Sequence, residues 1–257
     1  MQIGAYQFSV TGDIDSNFNK IEHAINEAKE KQIRLLVFPE CALTGYPPRD
    51  LKSSADVDFN KLDMIYNYLQ QRCNLLDINI IIGTITKENN KCYNTALFFS
   101  PFEERKSYKK RALWGWDKDN FESGNDRGIF QVGDWKIGIR ICFEIRFPEY
   151  FRELYKEQTD INIIIFYDVS DNNDIFRYEM IRSHILTRAV ENVTYTLSVN
   201  TISPFQTAPT ILFGRSGQVL NEIERNKEGL LIYNLEKKEI DVDGTMKRFL
   251  NNETLYL

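Results

Sequence analysis

Short apolar segments of strand length alternate along this chain with amphipathic helical segments, and two neighbouring pairs of strands are joined as hairpins. Strand patterns cover residues 1–10, 34–39, 78–85, 94–100, 130–142, 161–166, 194–200 and 209–235. Helical patterns cover residues 17–31, 55–75, 147–157 and 174–191. The hairpins argue against a purely parallel, doubly wound sheet, whose strands need crossover connections. The pattern therefore predicts an α/β fold in which mixed sheets are covered by helices.

Local signals indicate where several of these elements begin and turn. In the first helix, Asp15 or Ser16 is the expected N-cap, ahead of apolar residues at helical spacing. The polar residues 87–91 form the expected turn of the first hairpin, and Gly133-Asp134 supplies a two-residue turn in the second. Pro148 suits the first turn of the helix that covers 147–157.

Size and charge limit the class of protein. One domain accounts for all 257 residues, with a C-terminal extension predicted from about residue 236, where the core pattern ends. A net charge of -5 gives no nucleic-acid footprint. No apolar run approaches the roughly 20 residues of a membrane span, and the N-terminus lacks the basic region of a signal peptide. We therefore expect a cytoplasmic protein that binds neither nucleic acid nor membrane.

The four cysteines form no CxxC pair and no zinc spacing, so free thiols and no metal site are expected. Cys142 differs from the others because it ends the strand pattern KIGIRI, just before a helix. A strand-to-turn position with exposed backbone N–H groups can combine a nucleophile with an oxyanion hole. The alternative is a buried structural cysteine, which is common for free thiols.

Two further residues are candidates for chemistry. Glu40 ends the apolar run LLVFP, and partial burial there would raise its pKa and suit a general base. Lys110 lies in a cationic segment beside Trp114 and Trp116, which could bind an anion or steady an oxyanion. The alternatives are a solvated strand end for Glu40 and a solvated basic turn for Lys110.

A histidine-based mechanism would have to use one of only two histidines, His23 and His184. A Cys142–His184 pair would resemble the papain arrangement. The sequence around His184 gives no support for that pairing, so a satisfied surface or core histidine is the preferred interpretation.

Three blocks in order resemble the nitrilase (carbon–nitrogen hydrolase) superfamily. LLVFPECALTGYPPRDL (35–51) is similar to the block of the catalytic glutamate, which falls on Glu40. YKKRALWGWDKDNFESG (108–124) is similar to the lysine block, in which the lysine three residues before a leucine is Lys110. IGIRICFEIRFPEYFREL (137–154) is similar to the nucleophile block and selects Cys142. The later stretch 188–200 also matches, so the resemblance reaches about residue 235.

The resemblance implies a four-layer α-β-β-α sandwich and, because related proteins commonly pair, a homodimer or higher homo-oligomer. It also implies covalent hydrolysis of a small amide without metal or organic cofactor. Glu40 would take the thiol proton, and Cys142 would attack the carbonyl carbon to form a thioester as ammonia leaves. Lys110 and the backbone N–H of Phe143 would stabilise the oxyanion.

The chain departs from the family pattern at three places. Asp117 stands where many relatives have a second glutamate, and it is retained as a candidate catalytic residue. Glu144 stands where aspartate is frequent, and residues 208–210 replace a Gly-x-Ser. These changes predict a shifted substrate pocket. The expected substrate contacts are Arg127, Glu144, Asp168, Asn172 and Asn173.

Several functions remain open at this level. The leading hypothesis is an amidase, with an N-carbamoyl-amine hydrolase as a close variant. The segment GYPPRDL also resembles the glutaminase portion of glutamine-dependent NAD synthetase. A nitrilase is a further alternative. A catalytically silent binding protein on the same scaffold is the alternative of a different class, and the presence of Glu40, Lys110 and Cys142 together argues against it.

Overall fold

A computed structural model describes residues 1–237, 243–244, 246–248 and 250. It contains fourteen strands within these residues. In chain order they are β1 (Gln2–Gln7), β2 (Leu35–Val37), β3 (Asn79–Glu88), β4 (Lys91–Phe99), β5 (Lys106–Lys109), β6 (Ile129–Val132), β7 (Trp135–Ile141), β8 (Ile161–Phe166), β9 (Val169–Ser170), β10 (Tyr195–Asn200), β11 (Phe205–Gln206), β12 (Ile211–Phe213), β13 (Val219–Glu222) and β14 (Gly229–Asn234).

Twelve of these strands form two six-stranded mixed sheets. The first has the order β14-β1-β2-β3-β4-β5, and the second has the order β13-β12-β10-β8-β7-β6. The central strands β1, β2 and β3 run parallel in the first sheet, as do β7, β8 and β10 in the second. The outer pairs are antiparallel. The prediction of mixed sheets is therefore confirmed.

Helices cover the outer face of each sheet. They are α1 (Ile14–Glu30), α2 (Phe59–Leu76), α3 (Asp117–Asn120), α4 (Pro148–Lys156) and α5 (Ile175–Asn192). Buried residues of α1 and α2 pack with the first sheet, and those of α4 and α5 pack with the second. The inner faces of both sheets share one apolar core. These contacts give four layers in the order α-β-β-α, as expected.

Both faces of each sheet are buried, so alternation along a strand sorts residues between two cores. In β1, Ile3 and Ala5 face the other sheet, whereas Tyr6 packs toward the helical layer. Phe98 of β4 and Phe130 of β6 stack across the two sheets, with ring centroids 4.9 Å apart. This double burial explains why the strands appear in sequence as continuous apolar runs.

The structure corrects several element boundaries. The N-cap of α1 is Asp13, whose side chain accepts from the Asp15 backbone N–H, and neither Asp15 nor Ser16 takes that position. The first hairpin turns at Asn89 and Asn90, both with positive φ, because asparagine tolerates that region. Its strands are consequently longer than predicted.

The final β segment, predicted as 209–235, divides between the two sheets. β12 and β13 extend the second sheet, whereas β14 pairs with β1 of the first. The extension predicted from about residue 236 lies mostly outside the described residues. Among the helices that the structure describes, none combines the length and apolarity needed to cross a bilayer.

We expect Phe98→Ala to lower the free energy of unfolding by about 3–5 kcal/mol, because it removes a fully buried ring from the core between the sheets. Phe102→Ala serves as the control, since that ring is 82% exposed, and it should change stability by less than about 0.5 kcal/mol. Urea denaturation measures both. Similar losses in the two variants would contradict the placement of Phe98.

Candidate active site

Glu40 lies just beyond the end of β2, where the chain crosses from one sheet toward the other. Its backbone N–H donates to the carbonyl of Phe166, at the end of β8 in the second sheet, at 3.2 Å. The segment also presses against Gly83 of β3. A Cβ added at Gly83 would lie 2.2 Å from the carbonyl oxygen of Pro39 and 2.5 Å from the Glu40 Cα. The absence of a side chain at residue 83 therefore permits this path.

The Glu40 carboxylate is fully buried and accepts three hydrogen bonds. Lys110 Nζ and Asn94 Nδ2 donate to Oε1 at 2.8 and 2.7 Å. The backbone N–H of Tyr167 donates to Oε2 at 2.7 Å. Burial raises the pKa of Glu40 above its ordinary value, although Lys110 and Asn94 oppose the shift. A buried carboxyl of this kind is held in one orientation and can take up a proton more readily than an exposed one.

Lys110 follows β5, and its backbone N–H donates to the carbonyl of Asn94 at 2.8 Å. Its ammonium group lies 2.8 Å from Glu40 Oε1 and 2.8 Å from Asp117 Oδ2. Burial alone would lower the pKa of Lys110, but the negative charges around it outweigh that effect and hold the pKa well above its ordinary value. The group is therefore a permanent buried cation.

Asp117 begins α3 and is fully buried. Besides Lys110, its carboxylate accepts from the Tyr46 hydroxyl and from the Trp114 backbone N–H, the latter at 3.0 Å. Tyr46 comes from the GYPP segment that follows Glu40, so Asp117 joins two of the three sequence blocks. Its shorter side chain still reaches Lys110 because α3 places it in direct contact.

Cys142 lies at the end of β7 and opens a 3-10 helix, Cys142–Arg146. Its φ is +46°, in the left-handed region that non-glycine residues seldom adopt and that recurs at functional sites. Burial raises the pKa of the thiol well above its ordinary value, and the Glu40 carboxylate adds to the shift while Lys110 opposes it. The thiol is therefore protonated at neutral pH and needs a proton acceptor to become a nucleophile.

Lys110 and Cys142 line the same cavity, which has a volume of about 160 Å³. Aromatic side chains make up much of its wall, and three arginines lie around it. The aromatic residues are Tyr46, Trp114, Trp116, Phe143 and Tyr167, and the arginines are Arg49, Arg146 and Arg177. The size suits a small molecule. Among the described residues, no cluster of three or more His, Cys, Asp or Glu is arranged to hold a metal.

Glu144 is buried and does not face the cavity, which corrects its expected role as a substrate contact. Its carboxylate accepts from the Tyr108 hydroxyl at 2.8 Å and from the backbone N–H groups of Arg111 and Ile141, each at 2.7 Å. These donors flank Lys110 and Cys142 in sequence. Glu144 therefore ties the lysine segment to the cysteine turn.

The other expected substrate contacts differ in position. Asp168 does line the cavity, but Arg177 holds its two carboxylate oxygens at 2.9 and 3.1 Å. Arg127 lies outside the cavity as an exposed side chain paired with Glu157, so its position does not support substrate contact. Asn172 and Asn173 also lie outside the cavity, because they belong to the exposed segment before α5.

His184 lies on the outer side of α5, in a separate surface depression, and does not line the cavity with Cys142. Sequence reasoning missed Tyr46, Asn94 and Tyr167. Tyr46 lies within a recognised block, but Asn94 and Tyr167 carry no local signal, since each reaches Glu40 only through the tertiary fold.

The family model for carbon–nitrogen hydrolases matches residues 2–242. The chain belongs to this family. It is 28% identical over 204 residues to a 2-oxoglutaramate amidase of Bacillus subtilis, a match that covers 77% of this chain and 75% of that protein. It is 31% identical over 154 residues to a nitrilase of Pyrococcus abyssi, covering 57% of each chain.

A solved structure with the same fold is the amidase of Nesterenkonia sp. AN1, which belongs to the nitrilase superfamily. It superimposes with a TM-score of 0.82 and 22% identity, over 100% of both chains. The fold of this carbon–nitrogen hydrolase is thus the four-layer sandwich of the nitrilase type.

Gly83→Ala should lower the free energy of unfolding of this hydrolase by about 1–3 kcal/mol, because the new Cβ would overlap backbone atoms of Pro39 and Glu40. Gly229→Ala is the matched control, since a Cβ there meets its nearest neighbour at 3.5 Å. The measurement is again urea denaturation. If the two variants were equally stable, the close approach at Gly83 would not exist.

Proposed function

We propose that this chain is an amidase that hydrolyses a small carboxamide, with Cys142 as nucleophile and Glu40 as general base. The observation that carries the proposal is the buried contact of Lys110 with both Glu40 and Asp117, beside a cavity that Cys142 also lines. Charged groups brought together in this way at a cavity typically belong to an active site.

In the first step, Glu40 takes the thiol proton as the sulfur of Cys142 attacks the carbonyl carbon of the amide. The raised pKa of Cys142 makes this transfer necessary, and the raised pKa of Glu40 makes the carboxylate a better acceptor. The bond between sulfur and carbon forms as the carbonyl π bond opens to an oxyanion. Lys110 and the Phe143 backbone N–H are the proposed donors to that oxygen.

Phe143 lies in the first turn of the 3-10 helix, where backbone N–H groups have no acceptor within the helix. Losing one such donor costs about 10²–10³ in rate. The carbon–nitrogen bond then breaks, and the proton held by Glu40 goes to the nitrogen, so ammonia leaves a thioester on Cys142. Water, deprotonated by Glu40, hydrolyses the thioester to a carboxylic acid and the free thiol. Each step uses only protein groups and water.

Asp117 is proposed to position Lys110, since it holds the ammonium opposite Glu40. The amidase proposal also draws on the relatives, since the Bacillus protein is named as an amidase and the Nesterenkonia amidase undergoes addition of acrylamide at its active-site cysteine. Nitrilases and glutamine-dependent NAD synthetases are also among the relatives, so a nitrile or glutamine-like substrate is the second candidate. A homodimer is proposed by family resemblance only.

Cys142→Ala should abolish ammonia release from small amides, because the nucleophile is lost. His184→Ala should retain most of the activity, since His184 lies outside the cavity. The assay measures ammonia from a panel of carboxamides, N-carbamoyl compounds and nitriles. Equal loss in the two variants would restore a histidine-based mechanism.

Iodoacetamide labelling provides the control for a panel that lacks the true substrate. An active site predicts fast, selective alkylation of Cys142 that is lost in Glu40→Gln, because the carboxylate accepts the thiol proton. Equal labelling of Cys41, Cys73, Cys92 and Cys142 would instead favour a silent binding protein.

The pH profile of kcat/KM should show an acid limb above the ordinary glutamate pKa of about 4.3, because burial raises the pKa of Glu40 and the base must be ionised. Asn94→Ala removes a donor to the ionised carboxylate and should move this limb to higher pH. Asn162→Ala, a buried strand asparagine that bonds to Thr194 instead, should leave the limb in place. A limb unmoved in Asn94→Ala would contradict the role of this hydrogen bond.

A further inference from the structure

The cations around the cavity are paired with carboxylates in all cases but one, within the part of the chain that the structure describes. Lys110 lies between Glu40 and Asp117. Arg177 is bidentate to Asp168, and Arg49 pairs with the exposed Asp171. The exception is Arg146.

Arg146 is partly buried at the wall of the cavity. No carboxylate among the described residues lies within ion-pair distance of its guanidinium, which contacts the sulfur of Met180 at 3.8 Å. Its neighbours along the wall, Phe143, Ile145 and Ile181, offer no negative side chain. A partly buried charge in such surroundings is costly unless a partner of opposite charge reaches it.

The charge of Arg146 also acts on its surroundings. The pKa of His184 lies below its ordinary value because of burial, with Arg146 and then Arg188 as further causes. Protonation of this histidine is thus disfavoured by Arg146, as expected for a positive charge that no neighbouring carboxylate neutralises.

Arg146 ends the 3-10 helix that Cys142 begins. At a rise of about 2 Å per residue, the two positions are separated by roughly 8 Å along the helix axis. Both line the same small cavity, with Ile145 and Ile181 contributing apolar wall near Arg146. A molecule whose amide carbon is at the thiol can therefore place an anionic group at Arg146 after a short apolar spacer.

We propose that Arg146 binds a carboxylate of the substrate, so that the substrate class is the monoamides of short dicarboxylic acids. The inference rests on the amidase function proposed above. A guanidinium suits this role because its planar donors bind carboxylate in two parallel hydrogen bonds. The apolar wall accommodates the methylene groups between the two ends. Hydrolysis of such an amide yields the dicarboxylate and ammonia.

The test compares two amides of nearly the same shape, succinamate and butyramide, in which a carboxylate replaces a methyl group. The measured quantity is the ratio of their kcat/KM values, which does not depend on the fraction of active enzyme. The same ratio is taken for the next longer pair, glutaramate and valeramide. For the wild-type chain we expect the carboxylate-bearing amide to be preferred by about 10- to 100-fold in at least one pair.

Arg146→Gln should lower this ratio by about 10- to 100-fold, and Arg146→Lys should restore part of it by keeping the charge. Arg127→Gln is the matched control, because that arginine is exposed and lies outside the cavity, and it should preserve the wild-type ratio.

A wild-type ratio near one in both pairs would overturn the proposal without any variant having to fold. A ratio that stays high in Arg146→Gln would overturn it as well. In either case butyramide or succinamate is still hydrolysed, so the amidase function stands. Absence of ammonia from all four amides, together with unselective labelling of Cys142, would overturn the amidase function and the inference with it.

Discussion

The site depends on one buried ammonium group held between two buried carboxylates. Lys110 contacts Glu40 and Asp117 at 2.8 Å each, and all three side chains are almost completely removed from solvent. Removing two opposite charges from water costs several kcal/mol per ion, and the loss is offset only when further hydrogen bonds satisfy the remaining oxygens. Asn94, Tyr167, Tyr46 and Trp114 supply those bonds. Since one positive charge faces two negative ones, the cluster favours uptake of a proton, which suits a group proposed to accept one.

The sandwich explains how residues 40, 110 and 142 meet. Glu40 follows a strand of the first sheet, Lys110 follows the edge strand of the same sheet, and Cys142 ends a strand of the second. Neither sheet alone contains all three. The shared apolar core between the sheets therefore fixes the distance between the proposed base and the proposed nucleophile, although no residue of that core is itself reactive.

Sequence reasoning recovered the parts of the site that lie in contiguous blocks. Glu40, Lys110 and Cys142 each sit where an apolar strand pattern ends, and their neighbours have recognisable order. Asn94 escaped notice because a polar residue in a buried strand has no local mark of its partner 54 residues away. Arg127 and Glu144 were misplaced for a related reason. The chain near them is charged, but whether a charge faces solvent, cavity or backbone is decided by the packing of distant segments.

Glu144 gives the site a mechanical property. Its carboxylate binds the backbone on both sides of the structure's two key segments, at Arg111 next to the lysine and at Ile141 next to the cysteine. The two segments are thus clamped to a common point and must shift in concert. A ligand that pushes the cysteine turn aside would drag the cation along with it, so the spacing of thiol and ammonium is preserved even while the cavity wall adjusts to different acyl groups.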